Sequence, residues 1–467
     1  MSELVDLDAH TLLAAYRSGA ASPVEVTDAL LARIDRLDPD LNAWCHLDPE
    51  RSRAEALASE ARWSAGTPQG RLDGVPVAVK DVFLTDGWPT RKGSVLVDPA
   101  QRWDTDAPAV AALRRNGAVL LGKTTTPELG WKAVTDSLAD GVTRNPWDPA
   151  LTPGGSSGGS GAALAARMAP LALGTDGGGS IRIPAAFTAT VGLKPTWGRV
   201  PLWPPSPFGA LAHAGPMART VADTALLLQV LAEPDARDAG ALLPDDVDHL
   251  AGLDAGVAGL RVAYSPTLGF ARVDPEVADA VAAAVATLAD LGAHVEEVDP
   301  GFDDPLETFM TLWSCGAAQA TAHHDDEARA QMDPGLQRVI ADGRSRGAVE
   351  YLDAVAARSA LAVHMSLFHQ RHDLLVTPTL PIPAFGAGRD VPEGWPDERW
   401  PTWAPFSYPF NITQQPAASV PCGFTAAELP VGLQLVGARG ADALVLRAAR
   451  AFEAARPFGE QRPPEPR

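Results

Sequence analysis

Apolar positions in the first 60 residues recur three and four apart, the spacing of one helix face. Among them, SPVEVTDALLARIDRL (22–37) opens with a serine able to cap a helix and a proline at the first helical position. Residues 1–70 are therefore expected to be helices packed on the outside of a sheet. From Gly74 the pattern turns to short apolar runs, VPVAV (75–79) and AVLLG (118–122), separated by the helix-patterned DAPAVAALRRNG (106–117). Runs that are apolar at every position fit strands covered on both faces. LRVAYS (260–265), HVEEVDP (294–300), DLLVTPT (373–379) and VGLQLVG (431–437) read as further strands, with VADAVAAAVATLADLG (277–292) a helix between the first two. The alternation predicts a largely buried α/β sheet.

Length leaves the domain count open: 467 residues exceed the ~250–300 usual for one core, so the chain is two domains or one large α/β unit. The formal net charge of -20 opposes nucleic acid and anionic membrane as partners, since both select a basic face. The opening MSELVDLDAH shows no charged-then-apolar leader, and no apolar run nears the ~18 residues of a spanning helix. A cytoplasmic location is expected. Cys45, Cys315 and Cys422, odd in number and scattered, suit free thiols in a reducing compartment. The histidines lack metal-ligand spacing, and His323-His324, followed by Asp325, Asp326 and Glu327, reads as a solvated loop or helix end. Neither metal nor cofactor is expected. The irregular segment 381–409, holding Trp395, Trp400 and Trp403, is read as a lid, with a packed surface loop as the alternative.

Two glycine runs concentrate the candidate chemistry: GGSSGGSG (154–161) and GTDGGGS (174–180). The first is no linker, because the helix former AALAARMA and the strand-like PLALG follow at once. A helix over about 160–169 and a strand over 170–174 span similar lengths in opposite directions, roughly 15 Å each. The two runs therefore meet at one edge, bringing Ser156 and Ser180 together. A phosphate cradle has a decoy elsewhere, GAVLLGKT (117–124), but its middle reads as a buried strand and no helix opens after Thr124. Serine nucleophiles need a base, and neither a GxSxG elbow nor a supported histidine is present. Lys80, at the end of VPVAV, is the candidate base, since a desolvated lysine is neutral. Gly177, Gly178, Gly179 and Ser180 offer four consecutive amides able to hold an oxyanion.

The stretch TPGGSSGGSGAALAARMAPLALGTDGGGSIRIPAAFTATVGLKPT (152–196) closely resembles the defining motif of the amidase signature family. The resemblance extends to GVPVAVKD (74–81), LGKTTTPELG (121–130), TRNPWDP (143–149), GPMARTVAD (215–223) and FNITQQPAASVPCG (410–423), nearly the whole chain. It implies a single domain over 1–467, with a mixed central sheet flanked by helices and a catalytic core over 74–200. It also implies hydrolysis of a carboxamide by a Ser-Ser-Lys triad: Ser180 as the acylated nucleophile, Ser156 as the bridging serine after a cis Gly155-Ser156 bond, and Lys80 as the base. Asp176 and Arg182 are read as a pair bracing the oxyanion turn, Thr175 as a neighbour of the bridging serine, and Ser157 and Ser160 as helix caps. Gly130 and Trp131 are carried over as lining the acyl pocket.

Two positions depart from the pattern. Gly177 stands where the family usually has threonine or isoleucine, and Thr188-Ala189 replaces a common Cys-Gly pair. The C-terminal half is more similar to general amidases than to the glutaminase chain of the glutamyl-tRNA amidotransferase. The expectation is thus a serine amidohydrolase for small neutral, including aryl, amides, with carbamates and esters open. The partner is the amide substrate, and a homodimer stays open. The alternatives are the glutaminase chain of an amidotransferase and, more remotely, a non-catalytic or P-loop nucleotide-binding protein.

Overall fold

The computed structural model describes residues 4–458 and 461–464. In chain order the strands are β1 (Trp44–Leu47), β2 (Pro76–Lys80), β3 (Val119–Thr124), β4 (Asp136–Ser137), β5 (Gly141–Val142), β6 (Leu171–Asp176), β7 (Val191–Lys194), β8 (His213–Ala218), β9 (Arg261–Tyr264), β10 (His294–Glu297), β11 (Leu374–Pro378), β12 (Ala417–Phe424) and β13 (Pro430–Gly437). Strands β4 and β5 pair only with each other, and the other eleven form one sheet in the order β1-β3-β2-β6-β8-β7-β12-β13-β11-β9-β10. Because that sheet collects strands from residue 44 to residue 437, the chain is one α/β unit.

The sheet is mixed. β2 runs parallel to β3 and β6, and β9 parallel to β10 and β11, while the middle pairings are antiparallel. β2, β3, β7, β8, β11 and β13 are buried at every position, as their continuous apolar runs require of strands covered on both faces. The helix Pro23–Leu41 begins as its sequence predicts: Ser22 caps it in a reciprocal pair with Glu25, and Pro23 occupies the first position. Its buried face, including Val26, Leu30, Ile34 and Leu37, joins the main core with helices Val221–Leu231, Pro275–Asp290 and Asp442–Ala455.

A second core lies beside the glycine loops. It gathers Phe187, Phe309, Trp313, Trp400, Trp403 and Tyr408. Here the expected lid proves to be packing: Trp400 is 3% exposed, and Trp403, fully buried, stacks on Phe187 with ring centroids 6.1 Å apart. Burying these rings holds 400–403 in the interior.

The fold-back predicted around the glycine runs forms with shifted bounds. The helix spans Gly158–Ala165 and stops before Arg167, whose φ is 57°; β6 follows as Leu171–Asp176. Neither serine caps this helix. Ser157 Oγ donates to Thr175 O (3.1 Å), and Ser160 Oγ shares a 2.8 Å hydrogen bond with Thr124 Oγ1. The decoy GAVLLGKT is β3 itself. Lys123 is fully buried there, donating to Phe83 O (2.8 Å) and Thr90 Oγ1 (2.7 Å) and lying 3.2 Å from Asp81. A lysine so committed has no reach to a phosphate, which removes the P-loop alternative. Ala189, where the family pattern places glycine, adopts a left-handed φ of 54°.

Candidate active site

The parallel register pairs Val79 with Leu173, so β2 and β6 end side by side. Lys80 closes β2, and Thr175 and Asp176 close β6. Lys80 is fully buried and its Nζ donates to Ser156 Oγ (2.7 Å) and Thr175 Oγ1 (2.8 Å). Thr175 thus contacts the lysine rather than the bridging serine. Burial drives the Lys80 amine well below its ordinary value, outweighing the opposing pull of the Asp176 carboxylate.

Ser156 arrives on the first glycine run through a cis Gly155-Ser156 peptide. The backbone of Val134 crosses directly over Gly155, so that a Cβ there would lie 2.4 Å from Val134 O. Only glycine fits. The two runs are tied where Ser157 N–H donates to Ser180 O (3.2 Å). Ser156 and Ser180 open into one cavity of about 490 Å³, which Gly130, Thr175 and Gly177 also line. Among the described residues the Ser180 hydroxyl makes no hydrogen bond, so it is not linked to Ser156.

The turn 177–180 differs from expectation in one donor. Gly179, with φ of 127°, spends its N–H on Asp176 Oδ1 (2.7 Å). The amides of Gly177, Gly178 and Ser180 have no acceptor among the described residues. Three amides, not four, are therefore available to a ligand oxygen. Aromatic rings back the turn: a Cβ at Gly178 would meet Phe309 Cζ and Trp400 Cη2, each at 2.7 Å.

Asp176 and Arg182 are both fully buried and joined by two hydrogen bonds of 2.9 Å. Arg182 also donates to Ser407 O (2.9 Å), Gln434 Oε1 (2.8 Å) and Asn411 Oδ1 (2.7 Å), and Asn411 Nδ2 returns to Asp176 O (3.0 Å) and Oδ1 (2.9 Å). Burial by itself would raise the Asp176 carboxyl, but the guanidinium more than reverses this and holds it well below the usual carboxylate range. Neither residue lines the cavity, so the pair braces the turn without facing a ligand. Asn411 lies inside the quoted 410–423 motif, yet nothing in its local sequence marks it as a partner of Asp176.

The cavity walls come largely from segments that carry no sequence signal of their own: 82–84, 201–208 and the helix Leu306–Ala320, through Phe83, Trp203, Phe208 and Trp313. Of the carried-over acyl-pocket residues, Gly130 lines the cavity and Trp131 does not. Trp131 is 4% exposed in the second core, its carbonyl accepting from Trp313 Nε1 (3.1 Å). His323 and His324, expected to be solvated, sit at the cavity wall with ring centroids 3.9 Å apart. Lys92 is the one lysine in the lining, which holds no Asp, Glu or Arg among the described residues. No cluster of three or more His, Cys, Asp or Glu side chains arranged to hold a metal occurs among them either.

Comparison with known proteins agrees with this geometry. The Amidase family model matches residues 25–446. An acylamidase of Rhodococcus erythropolis is 37% identical, with 98% of this chain and 97% of the relative aligned. The glutaminase-type chain of the glutamyl-tRNA(Gln) amidotransferase of Myxococcus xanthus (strain DK1622) is 40% identical over 97% of each chain. In structure, a bacterial aryl acylamidase of the amidase signature family superposes with a TM-score of 0.91 at 32% identity, covering 97% of each chain. The protein is a hydrolase of amide C–N bonds. It belongs to the amidase signature family.

Proposed function

We propose that this chain is a self-sufficient serine amidase that forms an acyl-enzyme on Ser180. The observation that carries the reading is the fully buried Lys80, bonded to Ser156 at 2.7 Å in the wall of the cavity that Ser180 shares. A lysine held neutral by burial accepts the Ser156 proton as Ser156 accepts that of Ser180, and Ser180 attacks the carbonyl. The Gly177, Gly178 and Ser180 amides receive the oxyanion; losing one such donor typically costs about 10²–10³ in kcat. The relay run backwards protonates the departing amine. Water then releases the acyl group, and the chain's own residues complete each step without a cofactor.

Small neutral amides, aryl amides included, fit a cavity walled by Phe83, Trp203, Phe208 and Trp313. Carbamates and esters are within reach of the same acyl-enzyme chemistry. The resemblance to the Myxococcus amidotransferase chain supports a second reading, a glutaminase working with a partner chain. Against it, the charged α-centre of glutamine finds neither carboxylate nor arginine in the cavity lining among the described residues. A panel of anilides, aliphatic amides, glutamine, carbamates and esters, run beside Ser180→Ala, tests the proposal. The expected result is turnover of neutral amides and fluorophosphonate labelling, both lost in Ser180→Ala. Glutamine as the sole substrate would move the protein to the second reading, and labelling that persists in Ser180→Ala would remove the assigned nucleophile.

A further inference from the structure

Gly177 opens the oxyanion turn, and it is the position at which this sequence departs from the family pattern. A Cβ built there would lie 2.9 Å from Trp313 Cζ3 and 3.2 Å from Trp313 Cη2. Glycine at 177 and the indole at 313 therefore depend on each other. With any side chain at 177 the indole must retreat; with glycine its benzo edge reaches the turn backbone. The indole has little freedom to retreat. Its Nε1 donates to Trp131 O (3.1 Å), Phe309 stacks on it at 5.3 Å, and Trp400 meets it edge-on at 5.8 Å.

Phe208 completes the arrangement from the 201–208 wall. It stacks on Trp313 with centroids 4.0 Å apart and planes inclined by 17°. Gly316, one turn further along the same helix, admits it, since a Cβ there would come within 2.8 Å of Phe208 Cδ1. Trp313 and Phe208 both line the cavity that holds Ser180. A group attached close to the scissile carbonyl thus enters beside two fixed rings and the bare backbone of Gly177.

We infer that Gly177, Trp313 and Phe208 form a ring subsite that selects substrates carrying a planar aromatic group within a few bonds of the scissile amide. This rests on the amidase reading above and deepens it by naming the recognition element. Aromatic pairs in edge-to-face or offset contact interact beyond their area burial, whereas a saturated ring of similar size supplies area only. The subsite therefore discriminates phenyl from cyclohexyl, not large from small.

The test measures kcat/KM for matched phenyl and cyclohexyl substrates, with the ring placed on the acyl arm (3-phenylpropanamide against 3-cyclohexylpropanamide) or on the amine arm (acetanilide against N-cyclohexylacetamide). Rates are normalised to fluorophosphonate-labelled Ser180. Comparing each phenyl/cyclohexyl ratio between wild type and variant cancels the intrinsic reactivities. In Trp313→Leu the ratio is expected to fall roughly 3- to 10-fold on the arm that occupies the subsite, and Trp313→Phe, which keeps a ring, should fall less. Gly177→Ala should lower the phenyl rate in the wild-type background and cost less in Trp313→Leu, where the opposing ring is gone. Ratios unchanged on both arms, or an equal cost of Gly177→Ala in both backgrounds, would overturn the subsite while leaving the amidase reading intact. Absence of turnover and of labelling in the wild type would remove both.

Discussion

Replacing Arg182 by leucine removes five side-chain hydrogen bonds at once, two of them to Asp176 and one each to Ser407 O, Gln434 Oε1 and Asn411 Oδ1. The Asp176 carboxylate then lies fully buried without its counter-ion. Breaking a buried pair in this way costs about 3–5 kcal/mol, a large part of the ~5–15 kcal/mol by which folded proteins are stable. At ~2.1 cal/mol/K per residue, 467 residues unfold with ~1 kcal/mol/K, so the expected fall in Tm is about 3–5 °C. The double variant Asp176→Asn/Arg182→Leu should recover part of that loss, because no uncompensated charge remains and the asparagine oxygen can still accept from Gly179 N–H.

The pH dependence gives a sharper check. In the wild type the Asp176 value is depressed, so its contribution is present above the unfolded carboxyl value and is lost as pH falls toward the folded one. In Arg182→Leu the largest influence on Asp176, burial, is no longer opposed by the guanidinium, and the carboxyl value rises above the unfolded one. The variant is then penalised at high pH and relieved as pH falls. Calorimetry should therefore show the gap in Tm narrowing from pH 8 to pH 5. A gap that is constant with pH, or a double variant less stable than Arg182→Leu, would refute the picture of a charge stranded in the interior.

The other predictions concern the two buried lysines. Activity should rise with pH as Lys80 sheds its proton, and the limb should lie below the ordinary lysine value, because burial lowers it; a flat pH–rate profile would contradict a basic role. Lys80→Ala should lose more kcat/KM on an amide than on the matched ester, since the amine leaving group needs the returned proton, and equal losses would sink the relay. ATP or phosphate should leave Tm unchanged, while Lys123→Ala should lower it by leaving buried Asp81 without its partner at 3.2 Å; a Tm increase with nucleotide would reopen the decoy motif.

How much of the molecule is legible in its sequence depends on how local each cause is. The strand ends at Lys80 and Thr175 follow from apolar runs and from the fold-back of adjacent segments, both local patterns. Ser156 and Ser180 stand out because unusual glycine density demands a backbone reason. Asn411 and Gln434 do not, since each meets Arg182 across more than 200 residues of chain. The wall 201–208, WPPSP at its centre, carries no period for a pattern to detect. Trp400 and Trp403 mislead for a similar reason: their number is visible in the sequence but not the Phe187 and Phe309 rings that bury them. Gly177 is conspicuous as an oddity, yet its partner Trp313 lies far along the chain.

The division of labour along the chain has a consequence for how such a protein changes. Bond-breaking groups come from 80, 156 and 175–180, locked by Val134 and Arg182, whereas the walls come from 82–84, 201–208 and 313–324. A mutational library confined to the wall stretches would sample new substrates against an untouched reaction centre. Descendants of this scaffold can therefore diverge in diet while keeping their chemistry, and a protein engineer can begin there too.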